Sequence, residues 1–202
     1  MASSMVFTSC QTGYQNENGQ WAWVSYDEYQ GKRLSFLDSV DAESFSVMSN
    51  NQYGLDKYHV YFKGQIVYPA DPKTFQLIDD KGYSADAQHV FLDAAMIALA
   101  HPLSFKVLQF PYSKDDQNIF CGTIPMRLSK EEQRSFKVVE GEKNMVNTRT
   151  ITDLKYFIEF NPDYQWLDTL PIKKVITGEW GMAEVNGKRI HGFKIQGQLQ
   201  QP

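Results

Sequence analysis

A phenylalanine slot recurs along this chain at near-constant spacing, and it restricts the folds open to the sequence more than any other feature. "SFSVM" begins at Ser44, "TFQLI" at Thr74, "SFKVL" at Ser104 and "SFKVV" at Ser135, so Phe45, Phe75, Phe105 and Phe136 stand 30, 30 and 31 residues apart. A second frame runs in step. "YGLDKYHVYF" starts at Tyr53, "YSADAQHVFL" at Tyr83 and "YSKDDQNIFC" at Tyr112. Asp56, Asp86 and Asp115 hold one slot of it, His59, His89 and Asn118 the next, and Val60, Val90 and Ile119 the one after. A unit of about 30 residues has too little core to stand alone, so neighbouring units must stack.

Each unit reads as a turn, a strand, a loop and a hairpin. In "ADPKTF" (70–75) an Asp precedes Pro. Asp accepts backbone N–H groups, and Pro is pre-set for the start of a turn. In "SFKVL" apolar Phe105 and Val107 alternate with Ser104 and Lys106, a strand period. "HVYFKGQIVY" places apolar runs around Lys63-Gly64, which predicts a hairpin. Ser129 and Glu132 in "SKEEQRSF" form a capping box at the start of a helical turn. Before the repeats, Trp21, Trp23 and Tyr26 predict a first strand, and Gly31 a turn into a second. After residue 140 the register fades. Leu154, Tyr156, Ile158 and Phe160 alternate in "RTITDLKYFIEF", which predicts a strand over 149–160, and Asn186-Gly187 predicts a hairpin. The expected fold is mainly β: tandem strand–hairpin repeats with short helical turns. Residues 1–10 are read as a signal remnant, 11–140 as the leading hairpin and repeats, and 141–202 as a strand-rich cap of the same domain.

Aromatics make up 14% of the 202 residues, which favours strands. The net charge of -4 argues against a nucleic-acid surface, because phosphate binding needs clustered Lys and Arg. No apolar run approaches the roughly 20 residues that span a bilayer. Cys10 and Cys121 are too few for a disulfide framework, and Cys121 in "NIFCGTI" reads as a small buried residue. "VFTSC" at 6–10 resembles the end of a bacterial lipoprotein signal, in which two small residues precede a Cys that becomes acylated. Phe7 stands where Leu is usual, and nine residues precede the Cys. A working signal needs a basic start and an apolar stretch of about 7–15 residues. Either most of that signal is missing from the chain, or the match is accidental.

The polar repeat positions point to structure rather than catalysis. His59 and His89 are a conceivable metal pair, but Asn118 takes the slot in the third copy, so they read as polar positions on a hairpin face. Asp56, Asp86 and Asp115 supply one carboxylate per unit, short of a Ca²⁺ ligand set. They read as turn formers that bind nearby backbone N–H groups. His101 occupies the Asp slot of its turn, and His191 a hairpin strand. Neither a Gly-x-Ser-x-Gly nor a phosphate-binding glycine loop occurs. Catalytic, metal and cofactor-binding residues are therefore expected to be none.

What differs between copies is the loop after the first strand: "SNNQ" (49–52), "DDKG" (79–82), "QFP" (109–111) and "EGEK" (140–143). Such loops commonly carry recognition in repeat proteins. Asp79, Asp80, Phe110, Glu140 and Glu142 are the expected partner-binding residues, facing a protein with a partly basic surface.

The stretch 53–75 resembles the DKNYY family of bacterial repeats through Tyr53, Asp56, Lys57, Val60, Tyr61, Gly64, Ile66, Ala70, Asp71 and Phe75. The second copy keeps Tyr83, Asp86, Val90 and Phe91; the third keeps Lys114 and Asp115. The resemblance runs from 41 to about 140. It implies an envelope or secreted bacterial protein, favours acylation at Cys10, and supplies no catalytic residues. Together these readings predict a non-enzymatic protein-binding module of the immunity type, which neutralises a toxin by occluding it. The alternative is a structural envelope lipoprotein with no inhibitory target. The expected location is the periplasm, lipid-anchored through Cys10, or the cytoplasm if Cys10 is not modified.

Overall fold

The structure is a computed structural model that describes residues 11–139, 149–178 and 181–195. Cys10, Glu140 and Glu142 lie outside the described residues. The protein is mainly β, and its described residues form small antiparallel sheets with two short α-helices. It divides into two compact units, Met1–Ile66 and Val67–Pro202.

The first unit opens with a three-stranded sheet, β1 (Gly13–Glu17), β2 (Gln20–Asp27) and β3 (Gly31–Phe36), in that order. The expected leading hairpin is β2–β3. β1 adds a strand to it, because Asn18 and Gly19 both take left-handed backbone (φ 55° and 90°) and so form the two-residue turn that a hairpin needs. The first repeat follows as β4 (Ser46–Val47), β5 (Tyr53–Leu55), β6 (Val60–Phe62) and β7 (Gln65–Ile66), also in sequential order. Lys63-Gly64 makes the predicted turn, with φ 47° and 80°.

In the second unit the next repeat is β8 (Gln76–Leu77), β9 (Tyr83–Ala85), β10 (Val90–Leu92) and β11 (Ala95–Met96). A 3-10 turn at Pro102–Ser104 leads into β12 (Lys106–Val107), β13 (Tyr112–Lys114), β14 (Ile119–Cys121) and β15 (Ile124–Pro125). Helix α1 (Lys130–Ser135) carries the predicted capping box of Ser129 and Glu132 and leads into β16 (Lys137–Val138). Then come β17 (Arg149–Asp153), α2 (Leu154–Phe160), a 3-10 segment Pro162–Thr169 and β18 (Lys174–Gly178). Last are β19 (Met182–Val185), β20 (Lys188–His191) and β21 (Lys194–Ile195).

The described part of the C-terminal third carries the repeat pattern on. β16 pairs with β19, and the sheet order β16-β19-β20-β21 repeats the arrangement of the three earlier copies. The hydrogen bonds agree copy by copy. Tyr53, Tyr83, Tyr112 and Met182 each accept from the residue after the first strand: Met48, Ile78, Leu108 and Val139, at 2.9–3.1 Å. Ser44, Thr74, Ser104 and Ser135 each accept, through the side-chain hydroxyl, from Lys57, Ala87, Asp116 and Asn186 N–H. Residues 182–195 are thus the second half of a fourth repeat, and β17, α2 and β18 are inserted after its first strand.

One carboxylate locks each of the first three repeats. Oδ1 of Asp86 accepts from Gln88 and His89 N–H (2.7 and 2.6 Å), which closes the hairpin turn. Its Oδ2 accepts from Asp71 N–H at 2.9 Å, which ties down the start of the unit. Asp56 does the same with Tyr58, His59 and Asp41, and Asp115 with Gln117, Asn118 and His101. The predicted turn role is present, with a long-range bond added. In the fourth repeat buried Val185 takes this slot, and the left-handed pair Asn186-Gly187 (φ 49° and 75°) makes the turn with no carboxylate in that position.

The phenylalanine slot is the stacking element. Phe105 lies 6.2 Å from Phe120 of its own sheet and 5.9 Å from Tyr83 of the preceding one, ring to ring. Phe136 meets Tyr112 at 5.2 Å in the same way. In the first unit Phe45 lies between its own Tyr61 (5.9 Å) and Trp21 of the leading sheet (4.7 Å). Gly54 in the Tyr61 sheet leaves room for that ring, since a Cβ there would sit 2.6 Å from it. On the last repeat, Lys137, Glu184 and Arg189 stand opposite one another across the strands. Ala183 and Ile190, on the other face, are fully buried.

The 149–160 expectation needs correction. Only Arg149–Asp153 is strand, and Leu154–Phe160 is helix. Asp153 caps it through Lys155 N–H, and Leu154, Phe157 and Ile158 form the buried face at helical spacing.

Burial pushes the Asp86 carboxyl up, but the N–H groups of Asp71, Gln88 and His89 outweigh it and hold it below the usual aspartate range. That stabilisation is present above the unfolded value of about 3.9 and is lost as pH falls through the lower folded value. Asp86→Ala is expected to cost about 3 kcal/mol at pH 7 by leaving three N–H groups without their acceptor. Urea midpoints measured against pH should show the gap from wild type narrowing below about pH 4.

Candidate partner-binding edge

The variable loops occupy one slot of the repeat, between its first strand and the following Tyr or Met. In the first unit, Asn50 closes 49–52 by accepting Gln52 N–H on its side chain and Tyr53 N–H on its carbonyl. In the second unit, Asp79 closes 79–82 by accepting Lys81 and Tyr83 N–H, both at 3.0 Å. Its carboxylate is therefore part of the turn. Asp80 is exposed.

Phe110 is not displayed to a partner. It is 1% exposed and belongs to the core cluster with Tyr83, Leu92, Phe120 and Ile176. Its neighbour Pro111 accepts from Gly122 N–H at 2.7 Å and lies against Gly178 and Gly181, where a side chain would collide with its ring. The loop after β12 thus belongs to the interior, because the fourth-repeat insertion covers it.

That insertion is the expanded counterpart of these loops. β17 and β18 pair antiparallel from Arg149↔Gly178 to Asp153↔Lys174. Ile176 in β18 exchanges bonds with Thr123: Thr123 N–H donates to Ile176 O (2.8 Å), and Ile176 N–H to Thr123 Oγ1 (2.9 Å). Gly122 beside it has φ +59°, and any Cβ would run into the Ile176 carbonyl. Leu154, Phe157, Tyr164 and Leu167 are buried, and Phe157 packs on Phe193 of the fourth repeat at 5.4 Å. Arg149 ties the insertion to the loops. Its Nε pairs with Asp93 at 3.1 Å, its guanidinium lies 4.6 Å over the Phe110 ring, and its Nη2 donates to Lys81 O.

Outward, the insertion presents Ile151, Tyr156 and Phe160 at 60%, 59% and 56% exposure, with the two rings 4.9 Å apart. The signal for this is in the sequence: the alternation of Tyr156 and Phe160 with Leu154 and Ile158 belongs to a helix, which turns these aromatics away from the core.

The remaining polar positions are accounted for locally. His59 Nδ1 lies 3.8 Å from Asp56 and His89 Nδ1 3.3 Å from Asp86, each beside the carboxylate of its own turn. Among the described residues no group of three or more His, Cys, Asp or Glu side chains is placed to hold a metal ion. Cys121 is fully buried, and burial pushes its thiol up to about 12. A groove of about 690 Å³ between the second and third repeats is lined by Lys73, Gln76, Leu77, Ile78, Leu103 and Phe105. Asp86 also borders it, with both oxygens already bonded to backbone.

Stacked four-stranded units, a carboxylate lock and an elaborated loop slot define a tandem-repeat β protein. The sequence profile of the DKNYY family matches residues 4–95 and, in a second overlapping placement, 23–152. The chain belongs to the DKNYY family. The second match ends within the insertion, just short of α2. No curated protein and no solved structure matches the chain.

Arg149→Ala is expected to lower stability by about 2 kcal/mol, through loss of the ion pair and of the stack on Phe110. Asp93→Asn should cost a similar amount. A double-mutant cycle on urea midpoints should return a coupling near 1 kcal/mol.

Proposed function

We propose that this protein is a non-enzymatic bacterial binding module of the immunity type, which neutralises a toxin by covering its active site. The observation that carries this reading is the insertion. A framework of locked repeats holds one variable loop slot that has grown into a folded element, and this element exposes a pair of aromatic rings in contact. Aromatic anchors on a rigid base are the usual centre of a tight protein interface. Asp80 lies on the same loop slot of the second repeat and supplies an acidic group to the rim for a basic partner. Residence in the cell envelope, with a lipid on Cys10, is the matching location.

Rescue is the direct test. Co-expression should protect cells from a toxin encoded beside this chain, and the purified pair should form a one-to-one complex. Tyr156→Ala with Phe160→Ala should weaken that complex by about 2 kcal/mol or more, roughly thirtyfold, without changing the melting temperature. Asp80→Lys should act mainly on the association rate and its salt dependence. Absence of protection against every toxic neighbour would contradict the proposal.

A further inference from the structure

The gap between the third and fourth repeats is plugged by a lysine, and the gap one repeat earlier stands open. Asp86 and Asp115 make the same turn bonds, so exposed Ala87 and Gln88 stand in the second repeat where Asp116 and Gln117 stand in the third. Lys130 Nζ donates to Asp116 O (3.2 Å) and to Gln117 O (3.0 Å). Gln133 Nε2 donates to Gln117 O at 2.9 Å and to Leu128 O at 2.8 Å. Helix α1 thus ties the start of the fourth repeat to the turn of the third.

Between the second and third repeats those donors are replaced by apolar residues. Counted back six and three places from the phenylalanine slot, Lys130 and Gln133 correspond to Leu99 and Pro102, whose side chains have nothing to donate. Among the described residues none donates to the carbonyl of Ala87 or of Gln88. The groove of about 690 Å³ opens here, with Leu77 and Ala87 of the second repeat facing Pro102 and Leu103 of the third. Leu103 is 91% exposed at its rim. Lys73 lines the same groove and has no acidic partner among the described residues.

We infer that this groove docks a segment of a partner protein that carries a lysine beside an acidic and an apolar residue. The incoming ammonium takes the carbonyls of Ala87 and Gln88, as Lys130 takes those of Asp116 and Gln117 one repeat on. The Asp86 carboxylate lies one residue before these carbonyls, so the site favours a cation over a neutral amide. The acidic residue pairs with Lys73. The apolar side chain covers Leu77 and Leu103, which are otherwise left to water. The plug within the chain has this same make-up, with Leu128, Lys130 and Glu131 in a row of four residues. The groove lies at the Asp86 end of β9, whereas the loop slot at 79–82 lies at the other end. This contact is therefore separate from the one proposed for Tyr156 and Phe160, and it stands whether or not the partner is a toxin.

A synthetic peptide copying residues 128–136, the segment that fills the neighbouring gap, is the probe. Titrated into the full isotope-labelled chain, it should shift the amide signals of Ala87, Gln88 and Leu103, with half-saturation at about 1 mM for so short a segment. The same peptide with Lys130→Met should bind about tenfold more weakly, because the charged donor is gone. Leu103→Lys in the protein places a second cation at the groove mouth. It should abolish the shifts and leave the melting temperature unchanged, since that side chain is at the surface. Absence of shifts at about 10 mM peptide, or equal shifts with the Met peptide or with the Leu103→Lys protein, would overturn the inference. Tyr156→Ala with Phe160→Ala should leave the peptide titration as it is, so this site and the toxin contact fail or succeed independently.

Discussion

The buried aspartate carboxylate in the hairpin turn is the interaction on which the architecture rests. A two- or three-residue strand has little claim to stability by itself, and most strands here are that short. The carboxylate compensates by accepting three backbone N–H groups at once, two within its turn and one fifteen residues back in the chain (fourteen in the third repeat). Hydrogen bonds to a charged acceptor are worth about 1.5–3 kcal/mol each. The lock joins the two ends of a unit, so the hairpin and the incoming turn form together. The Ser or Thr hydroxyl three residues into the turn repeats the tie with the next N–H along. With the backbone held, Phe45, Phe105 and Phe136 each place a ring against an aromatic residue of the preceding sheet.

The fourth repeat shows which parts of this scheme are dispensable. Val185 replaces the carboxylate, and the tyrosine slot holds Met182, yet sheet order, the Ser135 tie and the bond from Gly192 N–H to Gly181 O, counterpart of that from Gly122 to Pro111, are kept. An Asn-Gly turn needs no carboxylate to hold it, and packing against the third repeat supplies the rest. The insertion is then tolerated because its two ends meet at neighbouring strands, as loop ends do. It returns to pack on the second and third repeats through Arg149 and Ile176, which turns a loop site into part of the core. In the proposed function, recognition lies on the insertion, which covers the loop at 109–111.

The repeats are legible in the sequence because each recurring residue has a single physical role, with Phe stacking, Asp locking and Gly or Asn turning. Three other features are not. Residues 182–195 read as a cap because Met182 and Val185 break the Tyr and Asp pattern and the long segment 139–181 separates them from β16 in the chain. Leu154 to Phe160 satisfies both a period of two and a helical face, and the Asp153 cap decides between them. Phe110 sits in a polar-looking loop, and only long-range packing of β18 shows that it is buried. Local chemistry carries the unit, whereas the covering of one part of the chain by another leaves no short-range signal.

The lock can be tested most directly by backbone hydrogen exchange at Asp41, Asp71 and His101. These amides lie in surface turns, outside any strand, and would ordinarily exchange fast. If their hydrogens are held by Asp56, Asp86 and Asp115, they should be protected about as well as those of the neighbouring strands β5, β9 and β13. Asp86→Asn should release Asp71 alone. Exchange of all three amides at open-chain rates in the native protein would contradict the account.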